Sequence, residues 1–391
     1  MVTRRLTQPI QEDLEKKMVW VAGPRQCGKT TLSNEVLSHV KGHYYNWDSD
    51  EDRSLIRQTK LDPNVKLWVF DELHKYGRWR NWLKGVFDKN KKTKQVLVTG
   101  SARLDLFSRG GDSLQGRYFF YRLHPFTMTE VLQSKYLGYK EFIFENLQGS
   151  KGAVEALFKF GGFPEPFLGQ NERDSDRWRL GYSRRLFRED VRDLDLVKDI
   201  EGITLMYEQL GKTVSSVLSI NSLREDLEVN FATAKNWLRI LENLLVTFRL
   251  APFGSNKIKA VKKEQKLYFW DYGKVQDPGS RFENLIALHL LRLCHWIEDI
   301  EGKECELRYV RESSGKETDF IVVRAGKPLF LVECKLTHRE IDKNLRYFLA
   351  RLPVSTGFQV YFEGNDDYEL KLSAEKVIRV IPAHRFLSII P

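Results

Sequence analysis

Cysteine is scarce in this chain of 391 residues: there are four, Cys27, Cys294, Cys305 and Cys334. None forms a C-x-x-C pair and no histidine cluster accompanies them, so neither a zinc site nor a disulfide framework is expected. The eight histidines are scattered, without ligand or triad spacing. No apolar run approaches the roughly 20 residues that cross a bilayer. Met1 to Gln11 carry Arg4 and Arg5 but no apolar stretch, so no export signal is read there. Internal repeats and low-complexity tracts are also missing. These absences exclude membrane-spanning, disulfide-stapled and solenoid classes, and they suit a reducing cytoplasm. Negative charge is in deficit: 63 Lys and Arg face 53 Asp and Glu, for a net +10. That balance favours an anionic partner, of which nucleic acid is the commonest, against the plainer alternative of a solvated basic surface.

What is present is an ordinary globular mixture, 42% hydrophobic and 30% charged, long enough for two or three cores. The first third alternates short apolar runs with amphipathic stretches, a βαβ pattern. Strands are predicted at 17–22, 43–47, 67–70, 95–99 and 119–123, with a helix over 30–40. From about 129 to 199 the pattern is helical and rich in arginine. Helices and then a strand follow over 212–252, and strands and helices mix from 266 onward. Pro125 and the run 257–265 mark breaks. The expected units are 1–128, 129–265 and 266–391.

Gly23-Pro24-Arg25-Gln26-Cys27-Gly28-Lys29-Thr30 matches G-x-x-x-x-G-K-[ST] between a predicted strand and a predicted helix, the context that gives the pattern meaning. Glycines let backbone N–H groups close around phosphates, and the helix N-terminus favours the negative charge. The residues Gly23 to Thr31 are therefore expected to bind ATP, with Lys29 at the β- and γ-phosphates and Thr30 on Mg²⁺.

Leu67-Trp68-Val69-Phe70-Asp71-Glu72 is an apolar strand that delivers Asp71 to the metal side of that loop, with Glu72 placed to polarise the attacking water. Val96 to Ser101 is another buried strand ending in hydroxyls. Thr99 or Ser101 can sense the γ-phosphate or the water; an ordinary strand and turn explain either one equally well. Arg117 is either an arginine finger or a surface cation.

These segments together resemble a family. GPRQCGKTTL at 23–32, WVFDELHK at 68–75, VLVTGSARL at 96–104, SLQGRYFFYRLHPFTMTE at 113–130 and FGGFPEP at 160–166 are similar to prokaryotic AAA-type ATPases that carry an uncharacterised C-terminal region. The similarity runs over essentially the whole chain. It implies a winged helix and a nuclease-like fold after the ATPase.

The later residues support such units on their own pattern. Ser222 is placed to cap a helix over 223–228. Val229-Asn230 breaks it, and 231–244 reads as a second helix with Ala234, Trp237, Leu238 and Leu241 toward a core. Thr233, Lys235, Asn236 and Arg239 fall on the other face. A strand over 245–251 and a loop carrying Lys257, Lys259, Lys262, Lys263 and Lys266 complete a winged-helix layout, which serves either DNA contact or protein spacing. The arginines 179, 184, 185, 188 and 192, mixed with acids, read as a solvated helix face.

Near the C-terminus, Glu317 to Val323 and Pro328 to Lys335 form a hairpin around Arg324 to Lys327. Symmetry about Gly326 sets Val323 against Leu329 and Asp319 against Glu333. Glu333 and Lys335 share a face by strand alternation. Upstream, Glu283 starts an apolar helix and points inward. Glu283, Asp319 and Glu333 as metal ligands, with Lys335 beside the attacking water, fit Mg²⁺-dependent phosphodiester cleavage. The set resembles the PD-(D/E)XK nuclease superfamily. The alternative is a salt-bridged structural domain without the chemistry.

The fold expected is α/β: an AAA-type P-loop domain, a helical and winged-helix middle region, and a restriction-endonuclease-like C-terminal domain. The leading reading is a Mg²⁺-dependent ATPase acting on DNA with a nuclease-like domain. Its rival is an ATP-switched regulatory protein whose C-terminal domain binds nucleic acid or protein without cutting. DNA is the expected partner, a homo-oligomer is allowed, and no membrane is involved.

Overall fold

Five strands, each entered from a helix or loop and all running the same way, make the first sheet of this computed structural model: β1 (Met18–Ala22), β2 (Gly42–Asn46), β3 (Leu67–Asp71), β4 (Gln95–Gly100) and β5 (Tyr118–Arg122). The structure describes residues 2–100, 114–133, 149–191, 197, 199–254, 264–338 and 340–391. Ser101, Arg192, Lys257, Lys259, Lys262 and Lys263 lie outside them. The chain divides into two compact units, Met1–Pro125 with Asn243–Leu245 and Phe126–Glu242 with Val246–Pro391.

In the first unit the strand order is β2-β3-β4-β1-β5. β1, β3 and β4 are buried at every position, as expected of parallel strands covered on both faces. Trp20, Phe70, Val96 and Val98 pack with Ile56 of the helix Asp50–Gln58 and with Leu83, Val86 and Phe87 of the helix Trp79–Asn90. The helices Thr7–Leu14 and Lys29–Leu37 pack on β1 and β4. β4 lies between β1, which feeds the phosphate-binding loop, and β3, which ends in Asp71. All these strands end on the same side, so their C-terminal loops converge there.

The second unit begins with helices. Lys151–Phe160 and Pro164–Gly169 are joined by the Phe160–Pro166 turn, in which Gly161 takes φ +83. Glu172–Arg185 follows. Arg179 is no solvated face residue: its side chain is 16% exposed, and it bonds the Asp271 carboxylate at 3.1 Å and the Phe160 carbonyl at 2.6 Å. The sequence pattern missed this because Asp271 is 92 residues away.

Helices Ile200–Leu210, Ile220–Asp226 and Phe231–Asn243 then combine with β6 (Val217–Leu218), β7 (Thr247–Leu250) and β8 (Gln265–Phe269), an antiparallel sheet of order β6-β8-β7. Two expectations are corrected here. The cap of the Ile220–Asp226 helix is Ser219, whose side chain accepts from the Ser222 amide, so the helix starts earlier than Ser222 allows. Lys266 is not a loop residue; it lies within β8 and is buried, because its ammonium is ion-paired inside the unit.

Helix Pro278–Glu301 is capped by Asp277 and packs on a six-stranded sheet. That sheet holds β9 (Cys305–Arg311), β10 (Glu317–Arg324), β11 (Lys327–Thr337), β12 (Thr356–Glu363), β13 (Tyr368–Lys371) and β14 (Val377–Pro382), in the order β13-β14-β12-β11-β10-β9. β9, β10 and β11 form an antiparallel meander, and the helix Lys343–Arg351 crosses over to bring β12 parallel to β11. The hairpin departs from symmetry about Gly326. Ala325 (φ +48) and Gly326 (φ +76) form a two-residue turn, so Val323 pairs with Pro328 rather than Leu329. Both positive φ values match the turn whose twist suits a tight hairpin. A bulge after Val322 then restores the register, with Phe320 opposite Val332. One step outward, Asp319 and Glu333 come face to face.

Candidate nucleotide site and a carboxylate cluster

The loop after β1 is tightly built. A Cβ at Gly23 would meet the Leu123 carbonyl oxygen at 2.6 Å and the Cys27 sulfur at 2.9 Å. Gly28 caps the helix Lys29–Leu37 at φ +98, a region that side chains rarely adopt. Gln26, at φ +60, shares the sharp turn. Pro24 and Cys27 are buried, Arg25 is half-buried, and Gln26, Thr30 and Thr31 are exposed. Lys29 is buried, and its ammonium donates to the carbonyls of Gly23 at 3.0 Å and Pro24 at 2.8 Å. It is thus folded over the mouth of the loop, where β- and γ-phosphates would lie.

Asp71 is held on both oxygens. Oδ1 accepts from the Thr99 hydroxyl at 2.6 Å and from the Glu72 amide at 3.1 Å. Oδ2 accepts from the Thr30 hydroxyl at 3.3 Å and from the Tyr44 hydroxyl. Tyr44 was not singled out in the sequence. The available signal was position: it sits on β2, the strand beside β3, two residues before the end. Burial and the neighbouring Asp71 hold its phenol well above the ordinary range.

Glu72 follows immediately with φ +55, a backbone strain in a non-glycine residue of the kind that clusters at functional sites. Its carboxylate lies 3.5 Å from His74 Nε2 and 3.7 Å from the Lys75 ammonium. Burial pushes the Glu72 carboxyl above the ordinary carboxylate range; Asp71 adds to that and Lys29 opposes it. A base raised toward neutral pH is suited to taking a proton from water. A hydroxyl and a carboxylate at 3.3 Å, beside a glycine cradle and a buried lysine, form a donor set that fits a nucleotide triphosphate with Mg²⁺.

Arg117 is elsewhere. Its carbonyl accepts from Met18 at the start of β1, the opposite end of the sheet from the loop after Ala22, roughly 16 Å away at strand rise. There it makes a two-point pair with Asp88 at 2.9 and 3.1 Å. It does not face the nucleotide site of its own unit.

In the second unit, Glu283, Asp319, Glu333 and Lys335 do come together. The Cys334 amide donates to Asp319 Oδ2 at 2.8 Å and the Asp319 amide to Glu333 Oε2 at 3.4 Å. The Lys335 ammonium bridges Glu333 at 2.8 Å and Asp342 at 2.9 Å. Three further members were not expected. Lys266, its side chain 3% exposed, lies 2.6 Å from Glu317, 3.3 Å from Glu283 and 3.7 Å from Asp319, and the Tyr268 hydroxyl donates to Glu283 at 2.7 Å. Their signal was alternation: Lys266 and Tyr268 share one face of β8, and Glu317 and Asp319 one face of β10.

Burial drives the Glu283 carboxyl up to about 8, with Asp319 adding and Lys266 opposing. Burial also raises Asp319 and Glu333. The Lys266 ammonium already stands among these carboxylates, in contact with Glu317, Glu283 and Asp319. Among the described residues, no group of three or more His, Cys, Asp and Glu side chains is arranged to hold a metal ion. The cluster therefore does not fit the metal that a nuclease reading requires.

With this geometry, the first unit is defined as an AAA-type P-loop ATPase domain: residues 15–132 match the family described as "AAA domain". Residues 152–276 and 278–386 match two families described only as domains of unknown function, DUF8612 and DUF4143. An uncharacterized protein of Mycobacterium tuberculosis is 26% identical over 388 residues, spanning 95% of this chain and 81% of its own length. An uncharacterized protein of Methanocaldococcus jannaschii is 24% identical over 368 residues, spanning 87% and 80%. Among solved structures, a Walker-type ATPase of Pyrococcus abyssi aligns with TM-score 0.46 and 14% identity, covering 72% of this chain and 96% of that one. No described helix is long and apolar enough to cross a membrane.

Proposed function

We propose that this protein is an ATP-hydrolysing switch whose second unit engages DNA without cutting it. The observation that carries the reading is the grip on Asp71 by Thr30, Tyr44 and Thr99, next to the strained, pKa-raised Glu72. The backbone N–H groups of the loop from Arg25 to Thr31 and the Lys29 ammonium would hold the phosphates, and Thr30 and Asp71 would hold Mg²⁺. The metal, when bound with the nucleotide, neutralises charge on the transferred phosphoryl group. Glu72 orients a water and takes its proton. Thr99 keeps Asp71 aimed at the Thr30 side, and Tyr44 closes the third direction.

The helices and sheet from 200 to 269 support a winged-helix reading, and the meander, crossover and long helix from 278 to 386 support a restriction-endonuclease-like one. Three domains at 1–128, 129–265 and 266–391 are our proposed division, with β8 (Gln265–Phe269) straddling the second boundary. In the Phe231–Asn243 helix, Ala234, Trp237, Leu238 and Leu241 are buried while Lys235 and Arg239 are exposed. That leaves a basic face for phosphates, consistent with the net charge of +10.

The test pairs phosphate release with DNA binding on the full chain in Mg²⁺, with and without ATP, alongside a nuclease assay on supercoiled, linear and single-stranded DNA. ATP turnover, DNA binding and intact DNA are expected. Absence of turnover overturns the switch. Cleavage that is lost in Asp319→Ala restores the nuclease reading.

A further inference from the structure

The carboxylate cluster of the second unit contains a buried cation, Lys266, that the nuclease resemblance does not supply. Lys266 enters it from β8, which belongs to the three-stranded sheet, whereas Glu317 and Asp319 come from the six-stranded sheet and Glu283 from the helix Pro278–Glu301. We propose that the Lys266 ammonium is a resident counter-ion standing where a divalent cation would sit, so that the cluster is a strut joining three elements rather than a metal centre. This inference is independent of the ATPase reading.

Three features carry it. First, the ammonium is enclosed: its side chain is 3% exposed, and carboxylate oxygens of Glu317, Glu283 and Asp319 surround it at 2.6, 3.3 and 3.7 Å. A hard cation wants those same oxygens at roughly 2.0–2.6 Å, so it and Nζ compete for one space. Second, other oxygens of the cluster accept from donors of the chain. Tyr268 supplies its hydroxyl to Glu283, the Cys334 amide bonds Asp319, and Lys335 bonds Glu333. Third, Lys266 is fixed from behind by its place in β8, where it pairs with Val217 on one side and Leu250 on the other. The Tyr309 ring lies beside its Nζ, 5.6 Å from centroid to nitrogen. Pairing on both sides fixes the backbone of Lys266, so its side chain reaches the cluster from a set position in the sheet. The lysine thus contributes one positive charge among the acids, half that of a divalent metal, and adds a covalent connection to a neighbouring element that a metal could not give.

Deleting the amine should expose the competition between lysine and metal. Lys266→Met keeps the length and apolar stem but leaves the acids without their cation. Those carboxylates then form an oxygen-lined site of the kind that takes Mg²⁺ or Mn²⁺. Metal ion alone is the probe: Mn²⁺ is titrated into nucleotide-free full-length protein, read by electron paramagnetic resonance and by thermal unfolding. Wild type and Asp319→Asn are expected to give the same Mn²⁺ isotherm, because the cluster binds none. Lys266→Met is expected to unfold at lower temperature, to gain a Mn²⁺ site at least about tenfold tighter than any wild-type site outside the P-loop, and to recover its midpoint in Mn²⁺. The double variant Lys266→Met, Asp319→Asn should lack that added site. A wild-type isotherm that weakens in Asp319→Asn overturns the proposal, and this arm needs no lysine variant to fold. A folded Lys266→Met without new Mn²⁺ affinity overturns it equally. Lys266→Gln supplies a second variant if the methionine form does not fold.

Discussion

The Thr99 hydroxyl donates a 2.6 Å hydrogen bond to Asp71 Oδ1, tying the end of β4 to the end of β3. Both residues are buried. On the proposed reading Thr99 would be a positioning residue for the metal-side carboxylate rather than a sensor of the γ-phosphate. Thr99→Val keeps the shape and removes the donor. Hydrogen bonds to charged groups contribute about 1.5–3 kcal/mol, so turnover should fall roughly 10- to 100-fold. Steady-state phosphate release, with nucleotide affinity measured in parallel, checks it. Unchanged kcat would detach Thr99 from the chemistry.

Lys29→Ala and Glu72→Gln should separate binding from turnover. Loss of the Lys29 ammonium removes the cation over the loop, so both affinity and hydrolysis drop. Glu72→Gln leaves every phosphate contact in place and removes the base, so ATP is bound but not consumed, with kcat lower by on the order of 10²-fold or more. Fluorescent-nucleotide titration and phosphate release on the two variants decide the assignment; equal loss of affinity in both contradicts it.

Charge on the exposed face of the Phe231–Asn243 helix should set DNA affinity. Reversal at Lys235 and Arg239 is expected to weaken binding and flatten the plot of log K against log salt, by about 0.9 for each phosphate that is no longer neutralised. Binding isotherms between low and moderate salt provide the measurement. An unchanged slope assigns this helix to protein spacing.

The raised acid Glu283 makes a pH signature. Its carboxyl holds its proton up to about 8 in the folded chain against an ordinary value of 4.5. The unfolded chain therefore releases that proton first as pH rises, and folding loses stability between about 4.5 and 8. The stabilisation is complete below the lower value. Asp319 and Glu333, also raised, act in the same direction. Denaturant midpoints at several pH values should fall across this window, and Glu283→Gln should flatten the fall. A midpoint that rises with pH across the window would contradict the raised carboxyl.

The nucleotide loop was readable because its residues are contiguous: Gly23 to Thr30 carry the cradle, the lysine and the hydroxyl within one turn of chain. Asp71 and Glu72 were readable because a parallel strand buried on both faces shows as an unbroken apolar run ending in acids. Tyr44 was not, since nothing in its own strand marks which neighbour it will meet. Lys266 shows the same limit more sharply. In sequence it continues a series of lysines at 257, 259, 262 and 263, and only the pairing of β8 with β6 and β7 turns it inward. The hairpin around Gly326 was placed in the sequence, but its bulge was not, because a one-residue shift depends on the turn geometry at Ala325 and Gly326. Arg117 illustrates the reverse case: a residue near a motif in sequence is carried to the far end of the sheet by the direction of β5.

The insertion of β4 between β1 and β3 turns the first unit into a ruler. Strands stand about 4.8 Å apart, so the axis that carries the phosphate cradle and the axis that carries Glu72 are separated by roughly 10 Å. Within the loop, Thr30 reaches across it to Asp71. The ligand must supply the span, and a phosphate chain shortened by one unit leaves the Glu72 end without its counterpart. On the proposed reading, the site would distinguish a triphosphate from a diphosphate by length, before any chemistry occurs.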